Sequence, residues 1–358
     1  MQPVTRSGAC MAGLILAAGI LLFPTTRAGD AAPGGTPDRT PLIYCTDLFH
    51  PHEDPDDHFD LATLYALPGF DLRGIVLDQG QRQLARPGSI PVSQLNALTG
   101  RQVPTAIGLA TKLTSPGDKA LEQPDPFQGG VRMILDTLRG ATGRVDIIAV
   151  GSVRDLMAAF NREPGLFREQ AGRVLVFIGE ASDPAFREYN VTLDPHAYVG
   201  LMRSGLNLYW VPCFDGGLWY NAGHASFWQA THADLLGSAP PELVQYFIYA
   251  LEKGTADPLR FVRQAVDPAR REALFGQRRN LWCTAIFRSL TVPGEPAGEV
   301  FGFEKVAVAV DDDGDLDTGN AIPAATVHRF RVRDPARYAE VMTRETAEIL
   351  ARFPMASK

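Results

Sequence analysis

Three aspartates near the start of the chain have types and spacing that suit cation binding or acid–base chemistry. Asp47 follows a short β-type run, Leu42–Tyr44, and Asp56 and Asp57 open a segment whose apolar residues recur on one helical face. Carboxylates between a strand and the next helix lie where open α/β sheets bind ligands, and their oxygen atoms suit Ca²⁺ or Mg²⁺. The alternative is that Asp56 and Asp57 only cap the helix and favour its positive dipole end.

Strand-like and helix-like segments alternate along the chain, which predicts an α/β fold. The strand-like runs are continuously apolar, as in strands buried on both faces, so we predict a mostly parallel, Rossmann-like sheet flanked by helices. Helical segments dominate after Pro240, and a hairpin and a helix from Pro335 close the chain. The main runs are Leu72–Leu77, Val103–Gly108, Val145–Val150, Val174–Ile178 and Leu206–Pro212.

The composition bounds the class of protein. Of 358 residues, 45% are hydrophobic and 21% are charged, which is ordinary for a globular protein with a sizeable core. No shift of composition and no repeat divides residues 42–354, so we predict a single domain there. The formal net charge of −7 argues against a nucleic-acid partner and decides little about a small neutral substrate. A homo-oligomer stays open.

The first residues have the features of a leader sequence. Arg6 precedes an apolar run, Met11–Phe23, that is short for a membrane span, and small residues near Ala28 offer a cleavage site. We therefore predict a signal peptide over residues 1–28, a Pro/Gly-rich linker over residues 29–41, and an exported protein without a stable membrane span. An uncleaved N-terminal anchor is the alternative.

Four segments, in the same order, resemble the inosine/uridine-preferring nucleoside hydrolase family, and the likeness covers nearly all of residues 41–353. The resemblance implies that family's α/β fold and its hydrolysis of the N-glycosidic bond of ribonucleosides or related N-glycosides. It also implies a bound Ca²⁺, with another divalent metal as the alternative. The segments are Cys45–Asp47 with Asp56–Asp57, Asp146–Leu156, Glu188–Ala197 and Val310–Gly319.

The resemblance implies a role for three residues at the metal. Asp47 matches the metal-binding aspartate that acts as the base for the attacking water, and Asp57 matches a bidentate metal ligand. Arg154 stands where the family has a Thr whose backbone carbonyl binds the metal, a contact that does not depend on the side chain. A divalent cation lowers the pKa of its water, and an adjacent carboxylate can take the proton.

Four further residues match positions that bind the sugar. Asp56 matches a carboxylate that contacts the ribose hydroxyl groups, and Gln81, which follows Gly80, falls at a ribose-binding Asn position. Glu188 and Asn190 match a pair that holds the sugar hydroxyl groups. The alternatives are that Glu188 and Asn190 only cap a loop and that Gln81 is a solvated turn residue.

The chain departs from the family near the proposed metal. The insertion, residues 48–55, makes the loop between Asp47 and Asp56 longer than the family's usual one. Because it carries His50 and His52, it could cover the pocket or bind a transition metal, or it could be a solvated loop stiffened by proline. Cys45 replaces an aspartate beside the metal ligands, and a thiol cannot supply the same hydrogen bonding.

A second departure concerns the late His-Asp pair, which gives the family a leaving-group acid and a metal ligand. The corresponding segment here contains Trp282 and Cys283, and the loss of a carboxylate should weaken calcium binding. His224 or His232 could replace the acid, or each could be a packing residue. The acidic stretch Asp311–Asp317 lacks the EF-hand spacing and is predicted to be a hairpin turn.

The sequence therefore favours an exported N-glycosyl hydrolase that uses a metal-activated water. The alternative, motivated by the missing His-Asp pair, is a non-catalytic or altered-specificity protein that binds a sugar or nucleoside on the same fold. A hydrolase for a different glycoside is the third hypothesis.

Overall fold

The protein is described by a computed structural model that covers residues 39–291, 298–316 and 323–357. Residues 38–358 form one compact unit. The predicted signal peptide and most of the predicted linker lie outside the described residues. The first strand begins at Thr40, two residues before the predicted start of the domain at residue 42.

The described part of the chain contains ten strands, and eight of them form one sheet. The order in that sheet is β3-β2-β1-β4-β5-β6-β10-β9, and β7 pairs with β8 separately. The strands are β1 Thr40–Thr46, β2 Phe70–Leu77, β3 Thr105–Ile107, β4 Val145–Ala149, β5 Ala171–Phe177, β6 Leu208–Val211, β7 Trp228–Thr231, β8 Arg278–Leu281, β9 Phe301–Val308 and β10 Ala325–Val332.

Helices cover the sheet, as in other α/β folds. None of the helices in the described ranges is long and apolar enough to cross a lipid bilayer. The helices are α1 Asp56–Ala66, α2 Gly80–Gln83, α3 Ser89–Thr99, α4 Gly129–Gly140, α5 Arg154–Arg162, α6 Pro164–Gln170, α7 Tyr189–Leu193, α8 Pro195–Met202, α9 His232–Leu236, α10 Pro241–Leu251, α11 Pro258–Phe261, α12 Pro268–Phe275, α13 Thr284–Ser289 and α14 Pro335–Ala351, with a 3₁₀ turn at Asp125–Phe127.

The central strands are buried on both faces, which explains their continuous apolar runs. Successive side chains of a strand point to opposite faces. Accordingly, Tyr44 and Ile148 join one buried cluster, whereas Ile43 and Ile147 join the other. The prediction of a mostly parallel sheet flanked by helices is confirmed, and β9 is the strand that runs antiparallel, against β10.

The connectivity creates a crevice beside β1. This strand lies between β2 and β4 and is parallel to both, and the chain progresses outward in opposite directions from the β1–β4 pair. Such a switch point leaves space outside the carboxyl ends of the strands. The loops that follow β1, β2, β4, β5 and β6 therefore meet at one edge of the sheet.

The packing of α4 against α5 and β2 yields a stability prediction with a control in the same helix. A Cβ on Gly130 would lie 2.5 Å from an Asp155 carboxylate oxygen and 2.6 Å from Val76, whereas nothing lies within 4 Å of one on Gly140. Gly130→Ala should therefore lower the free energy of unfolding by roughly 1–3 kcal/mol through overpacking. Gly140→Ala should leave it unchanged or raise it by about 0.5 kcal/mol, because Ala favours helix. Urea denaturation measures both, and equal stability of the two variants would contradict the packing.

Candidate active site

A cavity of about 430 Å³ lies at the carboxyl ends of the central strands. Two chemical classes of side chain dominate its wall. The carboxylates are Asp47, Glu53, Asp54, Asp56, Asp57 and Glu188. The aromatic residues are Phe49, Phe177, Tyr189, Phe214, Trp219 and Trp282. The cavity therefore combines an acidic part with an aromatic part.

The acidic part is built around Asp47 and Asp57. Asp47 follows β1, and Asp57 lies in the first turn of α1, as the sequence predicts. The buried hydroxyl of Thr46 donates a hydrogen bond to Asp57 Oδ1 at 2.9 Å, which orients that carboxyl group. Asp47 and Asp57 are also close enough to share a hydrogen bond.

Burial and neighbouring carboxylates raise the pKa values of this acidic part. Desolvation, together with the charge of Asp78, raises the pKa of Asp47 to about 7. Desolvation and the neighbouring carboxylates raise the pKa of Asp56 and of Asp57 well above the usual range. Neighbouring carboxylates of this kind hold protons until a cation or a ligand replaces them. A positively charged group in the cavity would therefore be stabilised by these carboxylates.

Glu188 and Asn190 line the cavity and also hold the local backbone in place. The Glu188 carboxylate caps α7 and accepts hydrogen bonds from the backbone N–H groups of Gly179, Asn190 and Val191. Nδ2 of Asn190 donates to the carbonyls of Val150 and Phe177, at the ends of β4 and β5. The capping alternative is therefore observed together with the cavity position. Burial raises the pKa of Glu188 to about 7.

Gln81 does not line the cavity, contrary to its predicted position. It is exposed on α2, and Gln79 takes the place near Asp47 instead. Gln79 has a left-handed backbone conformation, with φ of 55°, and its Nε2 donates to Asp47 Oδ2 at 3.1 Å. The turn thus begins two residues before the predicted position and directs Gln81 outward.

Arg154 also lies outside the residues that line the cavity. It is the first residue of α5, where a backbone carbonyl points along the helix toward the N–H four residues later. Its buried side chain donates to Ser152 Oγ and the Leu193 carbonyl and lies 3.7 Å from Asp78 and 3.6 Å from Asp194. The structure thus shows a buried ion-pairing role for the Arg154 side chain, and the predicted contact of its backbone carbonyl with a metal stays a prediction.

The insertion, residues 48–55, is folded against the cavity. Phe49, Glu53 and Asp54 line the cavity, so the insertion covers part of it. His50 points elsewhere: its Nε2 donates to the Gly254 carbonyl at 2.7 Å and its ring stacks on Tyr249. Among the described residues, no three or more His, Cys, Asp or Glu side chains form a group able to hold a metal ion. The imidazole groups therefore give no support to a transition-metal site.

Phe214, Trp219, Phe227 and Trp282 form what we call the aromatic wall. Their ring centroids lie 5.4–6.3 Å apart. Trp219 is 50% exposed, so it offers a ring face at the mouth of the cavity. The buried Glu180 carboxylate holds the loop that carries Trp219 by accepting hydrogen bonds from the N–H groups of Gly216 and Gly217. Both glycines have positive φ, which permits this close approach.

The two histidines considered as leaving-group acids lie outside the cavity lining. His224 contacts Asp215 at 3.0 Å through Nδ1. His232 is buried, bonds the Leu274 carbonyl at 3.1 Å through Nδ1, and receives a hydrogen bond from Arg279. Burial lowers the pKa of His232 to about 4. Both positions fit the packing alternative, whereas Trp282 and Cys283 do line the cavity.

Sequence reasoning missed Gln79, Phe49 and the aromatic wall. The wall had a signal, because residues 214–228 concentrate aromatic side chains around a Gly-Gly pair. Gln79 had none beyond its position before Gly80. A left-handed backbone at a Gln is uncommon and becomes visible only in the structure.

Comparisons with known proteins agree with this architecture. The family model described as inosine-uridine preferring nucleoside hydrolase matches residues 52–348. The match begins after Asp47 and includes the other predicted site residues. A search of curated proteins found no match.

Solved structures show the same fold at low sequence identity. A plant nucleoside hydrolase, the PpNRh1 enzyme, has a TM-score of 0.54 and 16% identity, over 86% of this chain and 99% of that one. The effector protein XOO4466 has a TM-score of 0.53 and 17% identity, over 88% and 95% of the two chains. The type III effector XopQ, solved with adenosine diphosphate ribose, has a TM-score of 0.52 and 16% identity, over 89% and 95%.

The family match extends over most of the chain, and the sheet order and the position of the cavity agree with it. The chain therefore belongs to the inosine-uridine preferring nucleoside hydrolase family, as a divergent member.

Proposed function

We propose that this protein hydrolyses the N-glycosidic bond of ribonucleosides or related N-glycosides. The observation that carries the proposal is a single cavity that has paired carboxylates in one part and an aromatic wall in the other. Carboxylates suit the sugar and the developing positive charge, and ring faces suit a planar base. Membership of the family supports the same reaction.

In the proposed reaction, Asp47 accepts a proton from the attacking water. The water oxygen bonds to the anomeric carbon, and the base leaves with the electron pair of the C–N bond. Positive charge develops on the sugar ring, and Asp56 and Glu188 stabilise it electrostatically. Asn190 orients the sugar through a hydroxyl group, which positions the anomeric carbon for attack.

Two of the lining carboxylates, Asp47 and Asp57, offer part of the oxygen shell that a hard divalent cation such as Ca²⁺ needs. Burial and the neighbouring carboxylates disfavour the charged form of Asp47 and of Asp57, and a bound cation would compensate that charge. We therefore propose that Asp47 and Asp57 hold the cation, and that the backbone carbonyl of Arg154 is a further candidate ligand. A cation bound there supplies Lewis acidity, which makes a water easier to deprotonate.

Trp282 occupies the segment that resembles the position of the family's leaving-group acid. The centroid of its ring lies 5.6 Å from that of Phe227 and 6.0 Å from that of Phe214. Its Nε1 donates a hydrogen bond to the Cys213 carbonyl. The indole is thereby fixed with its polar atom satisfied. We propose that Trp282 binds the base by stacking rather than delivering a proton.

The presence of Trp282 where the family has a leaving-group acid favours a second candidate function, the binding of a nucleoside or sugar without turnover. The structure of XopQ is described as a complex with adenosine diphosphate ribose, so a protein of this fold can hold such a ligand.

We also propose that the protein is exported, because its first residues have the features of a leader sequence. N-terminal sequencing of the mature protein would test that part.

Replacing the proposed base or metal ligand should separate the two functions. Asp47→Asn and Asp57→Asn should each lower kcat by about 10²–10⁴ fold, because each removes a charge needed at the reacting water. Neither should lower the free energy of unfolding, since each removes a desolvated carboxylate. Release of ribose from inosine, uridine and adenosine measures turnover, and Asp136→Asn on the exposed face of α4 is the control. Full activity of either variant would contradict the mechanism, and ligand binding without turnover by the wild type would favour the binder.

The raised pKa values predict how stability depends on pH and cations. The Asp47 carboxyl has a folded pKa of about 7 and an ordinary value of 3.8, so the folded state binds more protons between those values. Protein treated with a chelator should therefore lose stability as the pH rises from 5 to 8. Calcium should raise Tm more at pH 8 than at pH 5, because the cation replaces the proton. Asp57→Asn should flatten both trends, and an identical response to calcium in this variant would place the cation elsewhere.

If the base stacks on the aromatic wall, removal of a ring from the wall should weaken the binding of nucleosides. Trp282→Ala should raise KM for nucleosides by roughly tenfold, since a stacked aromatic contributes about 1–3 kcal/mol to holding a base. Tyr220→Ala is the matched control, because Tyr220 is exposed and lies outside the lining. Steady-state kinetics with inosine measures both variants. An unchanged KM in Trp282→Ala would show that the base does not stack on this wall.

A further inference from the structure

The insertion is connected to Asp47 through a chain of side-chain contacts. Arg82 holds the insertion at two points: its guanidinium lies 4.6 Å from the centre of the Phe49 ring and pairs with the Glu53 carboxylate. The same guanidinium donates from Nη1 to Gln79 Oε1 at 2.9 Å. Gln79 in turn donates from Nε2 to Asp47 Oδ2 at 3.1 Å. We call this Glu53–Arg82–Gln79–Asp47 chain the relay.

The geometry of Gln79 fixes the direction of the relay. A guanidinium can only donate, so the atom facing Arg82 is the amide oxygen. The amide nitrogen then faces Asp47, where it donates to the carboxylate. The buried Asp78 carboxylate holds the turn by accepting from the Gln79 backbone N–H at 2.6 Å. The left-handed conformation at Gln79 costs energy, and the surrounding contacts keep it in place.

We propose that Gln79 is a positioning residue for Asp47 and that Arg82 makes this positioning depend on the insertion. The inference rests on the proposed function, in which Asp47 accepts the proton of water. The amide of Gln79 fixes one carboxylate oxygen, and the other oxygen stays available to the proposed cation and the reacting water. Arg82 polarises that amide and fixes its orientation, and the docked insertion fixes Arg82. A displaced insertion would therefore reduce turnover without removing any group that touches the substrate sugar.

Arg86 provides a control within the same cluster. It pairs with the same Glu53 oxygen at 2.6 Å, and no contact joins it to Gln79. Arg82→Met and Arg86→Met therefore each remove one guanidinium from Glu53, but only the first breaks the relay. The Glu53 pairs are partly exposed, so each alone should contribute little to overall stability.

The test compares Gln79→Ala, Arg82→Met, their double variant and Arg86→Met in the full chain. Gln79→Ala should lower kcat by about tenfold with KM within about twofold, since it removes a hydrogen bond to a charged group. Arg82→Met should lower kcat as well, and the double variant should be no slower than Gln79→Ala, because contacts in one chain are not additive. Arg86→Met should keep the wild-type kcat. A kcat in Gln79→Ala within twofold of wild type would overturn the positioning role.

Amide hydrogen exchange over residues 48–55 gives a readout that does not need activity. Arg82→Met should speed exchange there by more than Arg86→Met does, because it releases both Phe49 and Glu53. If the wild type releases no base from any nucleoside, the proposed function fails and exchange alone decides the relay. Equal exchange in the two arginine variants would then overturn it.

Discussion

Several carboxylates lie together in one crevice, and the structure around them has to provide hydrogen-bond donors and positive charge that stabilise them. The sheet order brings the end of β1 next to the ends of β2 and β4, so Asp47 and Asp78 meet, and α1 adds Asp56 and Asp57. Buried carboxylates without partners are costly. Three of the four receive hydrogen bonds: Asp57 from Thr46, Asp47 from Gln79, and Asp78 from the N–H and hydroxyl of Ser152. The turns around the cavity supply the donors to Asp47 and Asp78.

Arg154 is the clearest case of a residue shaped by this constraint. Its guanidinium lies between Asp78 and Asp194, both buried, and it balances charge on the side of the crevice away from the cavity. Removal of such a cation would leave buried charges unpaired, which is strongly destabilising. This arginine thus offsets part of the negative charge that the buried carboxylates bring to the crevice.

The sequence predicted the parts of the site that depend on strand and helix ends. Asp47 and Asp57 were singled out because a carboxylate at a strand end or a helix start has a defined position in a parallel sheet, whereas Glu188 came from the family resemblance. All three side chains line the cavity. Gln81 failed because a left-handed residue at position 79 starts the turn early, and nothing in a Gln-Gly pair demands that conformation. The residue type of Arg154 says nothing about where its backbone carbonyl points, so the predicted contact with a metal stays a prediction. The aromatic wall depends on the Glu180 contacts to Gly216 and Gly217, which are remote in sequence from Trp282.

Trp282 and Cys283 line the cavity, and the resemblance places them where the family has its His-Asp pair, which bears on how the proposed reaction stabilises its transition state. Without a proton delivered by a histidine, the leaving base must carry more negative charge. The transition state then comes later, with the C–N bond more fully broken. The sugar then carries more positive charge in the transition state, and its stabilisation falls to the carboxylates. A dense acidic part is what such a transition state requires, because fixed charges in a dry cavity act strongly on charge that develops. In the proposed reaction, the carboxylates around the cavity repel one another in the ground state. The positive charge that develops on the sugar relieves this repulsion, so the carboxylates stabilise the transition state more than the ground state and take over part of the role of an acid.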